Sequence, residues 1–209
     1  MNNIIKQVTT GVIIAAIAAI AFMAEYFGIP ALRWLAAVAV AFMIFETMRL
    51  KIKDKKLRAL RAALGAWLIL VGIAAWFVGA KPWILLLLAM IIVATDVSAW
   101  FFGRLLGGDK MWERLSPNKT WSGQIAGIIC GTLAAVLYGL LGTDTFLPQL
   151  MWIGISVALL SQYGDLAASA IKRKIGVKDF GSLLPGHGGL LDRFDGWIFV
   201  LPIVWLVMI

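Results

Sequence analysis

Pro82-Trp-Ile-Leu-Leu-Leu-Leu-Ala-Met-Ile-Ile-Val-Ala-Thr-Asp96-Val-Ser-Ala-Trp-Phe-Phe102 is the stretch on which the fold turns. Its one ionisable group is Asp96. About 20 mostly apolar residues cross about 30 Å of hydrocarbon as a helix, and this run is long enough. A chain in hydrocarbon must satisfy its own backbone polar groups, so the run is helical. No ten-residue alternation of the kind a membrane barrel needs occurs anywhere in the sequence.

Six further runs have the same character: Val8–Ala24, Ala31–Met48, Ala62–Gly79, Gly123–Leu141, Pro148–Ala168 and the shorter Gly196–Ile209. The expectation is an all-α polytopic transmembrane bundle of about seven spans, the last tilted or partial. Composition agrees. The chain of 209 residues is 62% hydrophobic and 14% charged, against about 45–50% and about 25% in soluble domains. Ten Trp and eleven Phe suit interfacial aromatic belts. Val8–Ala24 has no small-residue cleavage site followed by a soluble domain, so it reads as a retained span. Cys130 is the only cysteine, which excludes an intrachain disulfide and a cysteine metal cluster.

The net charge of +8 reads as a membrane signal and not as a nucleic-acid footprint, because the chain is so apolar. Arg49, Lys51, Lys53, Lys55, Lys56, Arg58 and Arg61 lie between spans two and three. Arg104, Lys110, Arg114 and Lys119 lie between four and five, and Lys172, Arg173, Lys174, Lys178 and Arg193 between six and seven. With Lys6 these share one face, and only Arg33 and Lys81 fall toward the other. The positive-inside rule then places the N-terminus in the cytoplasm and the polar loops on the cytoplasmic side. The expected organisation is an N-terminal helical region over 1–81 and a catalytic transmembrane domain over 82–209, with cytoplasmic loops 103–122 and 169–195. The basic loop Arg49–Arg61 suits contact with anionic membrane lipids.

Ionisable groups inside spans are functional hypotheses. Asp96 and Asp165 both fall in the cytoplasmic third of their helices, where a shared polar cavity competes with simple ion pairing. Glu46, near the end of span two, is expected to snorkel to the interface. In Ser116-Pro117-Asn118-Lys119-Thr120-Trp121-Ser122-Gly123, Pro117 and Asn118 suggest a turn and Ser122 a helix cap. Ser116, Lys119 and Thr120 there can donate to phosphate oxygens at a helix N-terminus.

Ser169–Asp195 is the densest polar stretch. Lys172, Arg173, Lys178 and Arg193 can neutralise phosphates, although Arg193 can equally pair with an Asp. Gly186, Gly188 and Gly189 let backbone amides approach an anion. His187 is the only histidine; it can orient a phosphate or a carboxylate, or support the turn. Asp192 and Asp195, three apart, share a face if they open a helix. Carboxylates beside phosphate-binding groups imply Mg²⁺, and Asp165 on the preceding helix makes a two-metal arrangement feasible. No Walker loop is present. The residues alone therefore indicate phosphoryl or nucleotidyl transfer. An anionic-solute transporter is the rival, but it needs polar groups spread through the bilayer depth, and here they gather at one end.

The same stretch closely resembles the signature of the phosphatidate cytidylyltransferases, or CDP-diacylglycerol synthases. Ser169, Lys172, Arg173, Lys178, Asp179, Gly181, Pro185, His187, Gly188, Gly189, Asp192, Arg193 and Asp195 match its fixed positions. Asp96–Arg104 and Ser116–Gly123 also resemble the family, with Asn118 where Lys is usual and Ser122 where Glu is usual. The likeness runs from about Ile91 onward, and many members carry additional N-terminal spans.

The resemblance implies transfer of CMP from CTP to phosphatidic acid in a bacterial inner membrane, with the site facing the cytoplasm. An ether-lipid phosphate is an alternative acceptor. It implies Asp165, Asp192, Lys172, Arg173 and His187 as catalytic groups. Ser116, Lys119, Thr120, Lys178, Gly188, Gly189, Arg193 and Asp96 would bind substrate. Asp165, Asp192 and Asp195 would hold Mg²⁺, with room for a second, monovalent cation such as K⁺. A homodimer is implied by the resemblance alone.

Overall fold

The computed structural model describes residues 2–50, 52, 54–113, 115–141, 147–184 and 188–208, with side chains from residue 8 onward. Seven helices account for most of them: α1 (Asn2–Tyr26), α2 (Ala31–Arg49), α3 (Lys55–Gly79), α4 (Pro82–Leu105), α5 (Trp121–Leu140), α6 (Leu147–Ile175) and α7 (Trp197–Met208). A two-stranded hairpin, β1 (Lys110–Trp112) and β2 (Ser116–Thr120), joins α4 to α5. Six helices, α1 to α6, are long and apolar enough to cross a membrane. The all-α polytopic membrane architecture stands. The seventh candidate differs in size: α7 has 12 residues, about 18 Å at 1.5 Å per residue, short of the hydrocarbon thickness.

Two helices run further than hydropathy suggests. Lys55, Lys56, Arg58 and Arg61 belong to α3, not to a loop. Asp54 caps that helix by accepting from Lys56 N at 2.9 Å. Arg61 reaches back to the carbonyls of Leu50 (3.1 Å) and Met48 (3.3 Å), at the end of α2. Likewise Ser169–Ile175 is the end of α6 and not the start of a loop. Lys172, Arg173 and Lys174 in that last turn oppose the negative end of the helix dipole. The helix stops at Gly176, whose φ of 80° a side chain would disfavour. Gly176 N bonds Arg173 O and Val177 N bonds Lys172 O, the paired pattern of a Schellman cap.

The chain forms two compact units, Met1–Pro82 with Ile171–Ile209, and Trp83–Ala170. Residues 171–209 thus group with the N-terminal helices, where the sequence suggested a continuous region 82–209. In the first unit α2 packs on α1 and α3, and α3 on α7. Leu68, Val71, Ala74, Val78, Ile198 and Val200 form its buried centre. Pro202 lies inside α7. It has no N–H, so the Ile198 carbonyl loses its helical donor. Trp67 Nε1 donates to that carbonyl at 3.0 Å. Glu25, buried beside the α1–α2 turn, accepts from Leu32 N at 3.0 Å and pairs with Arg33 at 2.9 Å.

In the second unit, small residues let helices approach closely, as membrane interfaces favour. Gly123, Gly127 and Gly131 recur every four residues on α5. A methyl group at Gly123 would strike the Ala99 carbonyl and, at 3.1 Å, the Gly103 Cα. One at Gly127 would meet Gln162 and, at 3.1 Å, the Thr95 carbonyl. One at Gly131 would meet the Thr95 hydroxyl and, at 3.2 Å, Ala158. Hydroxyls in these spans satisfy themselves on their own helices: Thr95 on Ile91 O, Ser98 on Ala94 O, Thr132 on Ile128 O and Ser161 on Ala158 O.

Candidate functional site

Two polar centres emerge, one in each unit. The first is built on the end of α6 and the segment after it. The Schellman cap turns the chain at Gly176 and leaves Lys172 one turn inside the helix. Lys172 Nζ meets Asp192 Oδ1 at 2.8 Å, with side-chain exposures of 13% and 1%. Burial this deep demands that the carboxylate be fully paired. Asp192 Oδ2 accepts Phe180 N at 2.8 Å and Gly189 N at 3.0 Å. The ammonium also lies 5.5 Å from the Phe180 ring centre. Asp192 therefore ties the helix end to both arms of the loop.

That loop folds back on itself, with Leu184 N bonding Gly188 O at 2.9 Å. Gly188 has a φ of 85°, reserved in practice for glycine. Pro185, Gly186 and His187, which the sequence singled out, lie outside the described residues. The glycine reading needs adjustment. Gly189 does bring its amide to an anion, but the anion is the protein's own Asp192. Asp192 and Asp195 do not open a helix; both lie in turns ahead of Trp197, where α7 begins. Asp195 Oδ1 accepts the Gly196 amide at 3.0 Å. Arg173, Lys178 and Arg193 are exposed and stand outside the buried pair.

The residue that sequence reasoning misplaced is Glu46. It does not snorkel; it is 6% exposed. Its Oε2 accepts Leu190 N at 2.8 Å and Leu191 N at 3.3 Å, across 144 and 145 residues of chain. The signal available was the carboxylate itself, set in an apolar span beside Thr47. Its place near the end of the span made snorkelling look sufficient.

The second centre is Lys119 with Asp165, an ion pair between β2 and α6 with side-chain exposures of 25% and 37%. Of the expected gathering of Asp96, Asp165 and Lys119, the Lys119–Asp165 pair is present, and Asp96 lies on α4. Lys119 is delivered by strand geometry, since Ser116–Thr120 is β2 and not a turn at Pro117-Asn118. Thr120 pairs with Lys110 across the hairpin.

Thr120, and not Ser122, is the N-cap of α5, accepting Gly123 N at 3.2 Å. Ser122 gives its hydroxyl proton to the Gly107 carbonyl. Its oxygen lies 3.0 Å from Thr120 Oγ1, so the Thr120 proton goes there. Thr120 is 5% exposed and fully engaged, which leaves it no donor for a phosphate. Ser116 is half-buried at the start of β2.

Each centre pairs a lysine ammonium with an aspartate, and the first presents backbone amides to an anion. Such groups bind phosphate oxygens and hard cations. Comparison with known proteins points the same way. The sequence profile described as "Cytidylyltransferase family" matches residues 4–209. A phosphatidate cytidylyltransferase of Staphylococcus saprophyticus is 43% identical over 121 residues, covering 57% of this chain and 46% of the relative. Those of Staphylococcus haemolyticus and Staphylococcus aureus are each 42% identical, with the same coverage. The aligned region is therefore about half the length of these curated relatives. With a match running almost from end to end, and Lys172 and Asp192 of its signature paired in the structure, the chain belongs to the cytidylyltransferase family.

Proposed function

We propose that the chain transfers the cytidylyl group of CTP to phosphatidate, giving CDP-diacylglycerol and pyrophosphate, at the cytoplasmic face of a bacterial inner membrane. The observation that carries this reading is the buried Lys172–Asp192 pair inside the signature segment. An oxygen of the lipid phosphate forms a bond to the α-phosphorus of CTP. The bond from that phosphorus to the β-phosphate bridging oxygen breaks, and pyrophosphate leaves with the electron pair. The attacking phosphate is already anionic, so the reaction requires alignment and charge neutralisation more than a strong base.

Lys172 and Lys119 supply that neutralisation. Each ammonium is held in place by an aspartate, so little side-chain freedom remains to be lost when a phosphate arrives. Arg173, Lys178 and Arg193, on the exposed side, extend the basic surface toward a triphosphate. Among the described residues no three His, Cys, Asp or Glu side chains converge into a closed metal cage. Mg²⁺ binds through one or two carboxylates plus substrate oxygens, so the Mg²⁺ we propose needs no such cage. Of the carboxylates the sequence offers for it, Asp165, Asp192 and Asp195, we assign Asp165, which is part-exposed beside Lys119; both oxygens of Asp192 are taken by Lys172 and by the amides of Phe180 and Gly189, which leaves it no room for a metal. A monovalent cation such as K⁺ is the second occupant we propose. Bound Mg²⁺ supplies further neutralisation of the triphosphate. A homodimer in the membrane belongs to the same proposal.

Pyrophosphate release from CTP, in micelles with phosphatidate and Mg²⁺, tests the assignment. Asp192→Asn and Lys119→Ala are each expected to lower turnover by at least about 100-fold, with the protein still monodisperse. Undiminished turnover in both variants would remove these pairs from the reaction.

A further inference from the structure

We propose that Glu46 is a positioning residue: from α2 it braces the turn that presents Asp192, and Gly181 lacks a side chain because the Glu46 carboxylate fills that space. Three observations converge. Glu46 Oε2 takes the amides of Leu190 and Leu191, the two residues before Asp192. A methyl group at Gly181 would fall on Glu46 Oε1. One at Gly189 would lie 2.7 Å from the Gly181 backbone nitrogen, 2.9 Å from Glu46 Oε2 and 3.0 Å from Asp192 Oδ2. Two carboxylates therefore clamp one loop, Asp192 through Phe180 N and Gly189 N, and Glu46 through the next two amides.

Glu46 Oε1 is buried and has no hydrogen-bond partner in the structure. Burying a carboxylate oxygen without a partner is unfavourable, and an apolar residue would serve helix packing better. Retaining the carboxylate is accounted for by the bracing. The bracing itself stands on geometry. Its consequence for turnover rests on the cytidylyl transfer proposed above.

The test uses Glu46→Ala, Glu46→Gln, Gly181→Ala and the double variant Gly181→Ala/Glu46→Ala in the full chain. Hydrogen exchange is followed at the amides of Leu190 and Leu191, and kcat and KM for CTP are measured separately. Glu46→Ala is expected to lose protection at those two amides by at least about 10-fold, while amides in the middle of α3 keep theirs. It lowers kcat by roughly 100-fold, with KM for CTP within about threefold, as misplacement of a supporting group does. Glu46→Gln, which keeps one acceptor oxygen, restores most of the protection.

Gly181→Ala alone disturbs the loop as Glu46→Ala does, and adding it to Glu46→Ala causes little further change, because the obstructing carboxylate is gone. Unchanged protection at Leu190 and Leu191 in Glu46→Ala would overturn the bracing. Lost protection with unchanged kcat would overturn the positioning role. If the wild-type chain shows no cytidylyl transfer, exchange and the additivity of the two substitutions still decide the bracing.

Discussion

Removing the ammonium of Lys172 isolates a charge that the fold has buried. In Lys172→Ala the Asp192 carboxylate, 1% exposed, loses the ammonium at 2.8 Å and keeps the amides of Phe180 and Gly189. Breaking a buried pair from one side typically destabilises by 3–5 kcal/mol, and the two retained amide bonds place this case near the lower end, at about 3 kcal/mol. In a chain of this size 1 kcal/mol moves Tm by about 2–4 °C, so the expected fall is roughly 6–12 °C. Lys174, two residues on, is exposed and has no such partner among the described residues. Lys174→Ala is expected to change stability by no more than about 0.5 kcal/mol.

The assay is thermal unfolding in one detergent at one protein concentration, followed by the fluorescence of the ten tryptophans. Adding Asp192→Ala to Lys172→Ala should not add a full second penalty, since the stranded charge is then gone. Equal shifts for Lys172→Ala and Lys174→Ala, or strict additivity in the double variant, would refute the argument that this pair is buried and coupled.

Three other outcomes follow from particular contacts. Trp67→Phe keeps the ring but strands the Ile198 carbonyl opposite Pro202, which should lower stability by about 1–3 kcal/mol in the same unfolding assay. Gly131→Ala forces a methyl group onto Thr95 and Ala158 and should destabilise by about 1–3 kcal/mol, whereas Gly11→Ala, with open space around it, should not. With Cys130 replaced by Ala, an impermeant thiol reagent applied to intact cells should label Lys81→Cys and leave Lys56→Cys unlabelled, and the reverse pattern would invert the proposed orientation.

The spans were legible because hydrocarbon imposes a length and an apolarity that few other folds satisfy. Their ends were less so. Lys55–Arg61 and Ser169–Ile175 are polar enough to read as loop, yet a cap at Asp54 and the glycine at 176 set the real boundaries. Thr120 and Ser122 are both good caps by residue type, and only the Gly107 carbonyl, 15 residues away, decides between them.

The site was legible as a composition of charges. Pairing was less so, because it depends on contacts between residues distant in the chain, such as Lys119 with Asp165 and Lys172 with Asp192. Glu46 shows the limit most clearly. Its partners lie more than 140 residues away, so nothing near it in sequence marks it as part of the signature loop.

The central claim is tested most directly by following two isotopic labels of CTP. The purified chain in micelles containing phosphatidate and Mg²⁺ is given CTP labelled at the α-phosphorus or at the γ-phosphorus. The α-label is expected to enter the lipid phase as CDP-diacylglycerol while the γ-label leaves as pyrophosphate, in equal amounts. Absence of α-label from the lipid phase with phosphatidate, and with a panel of other lipid phosphates, would contradict it.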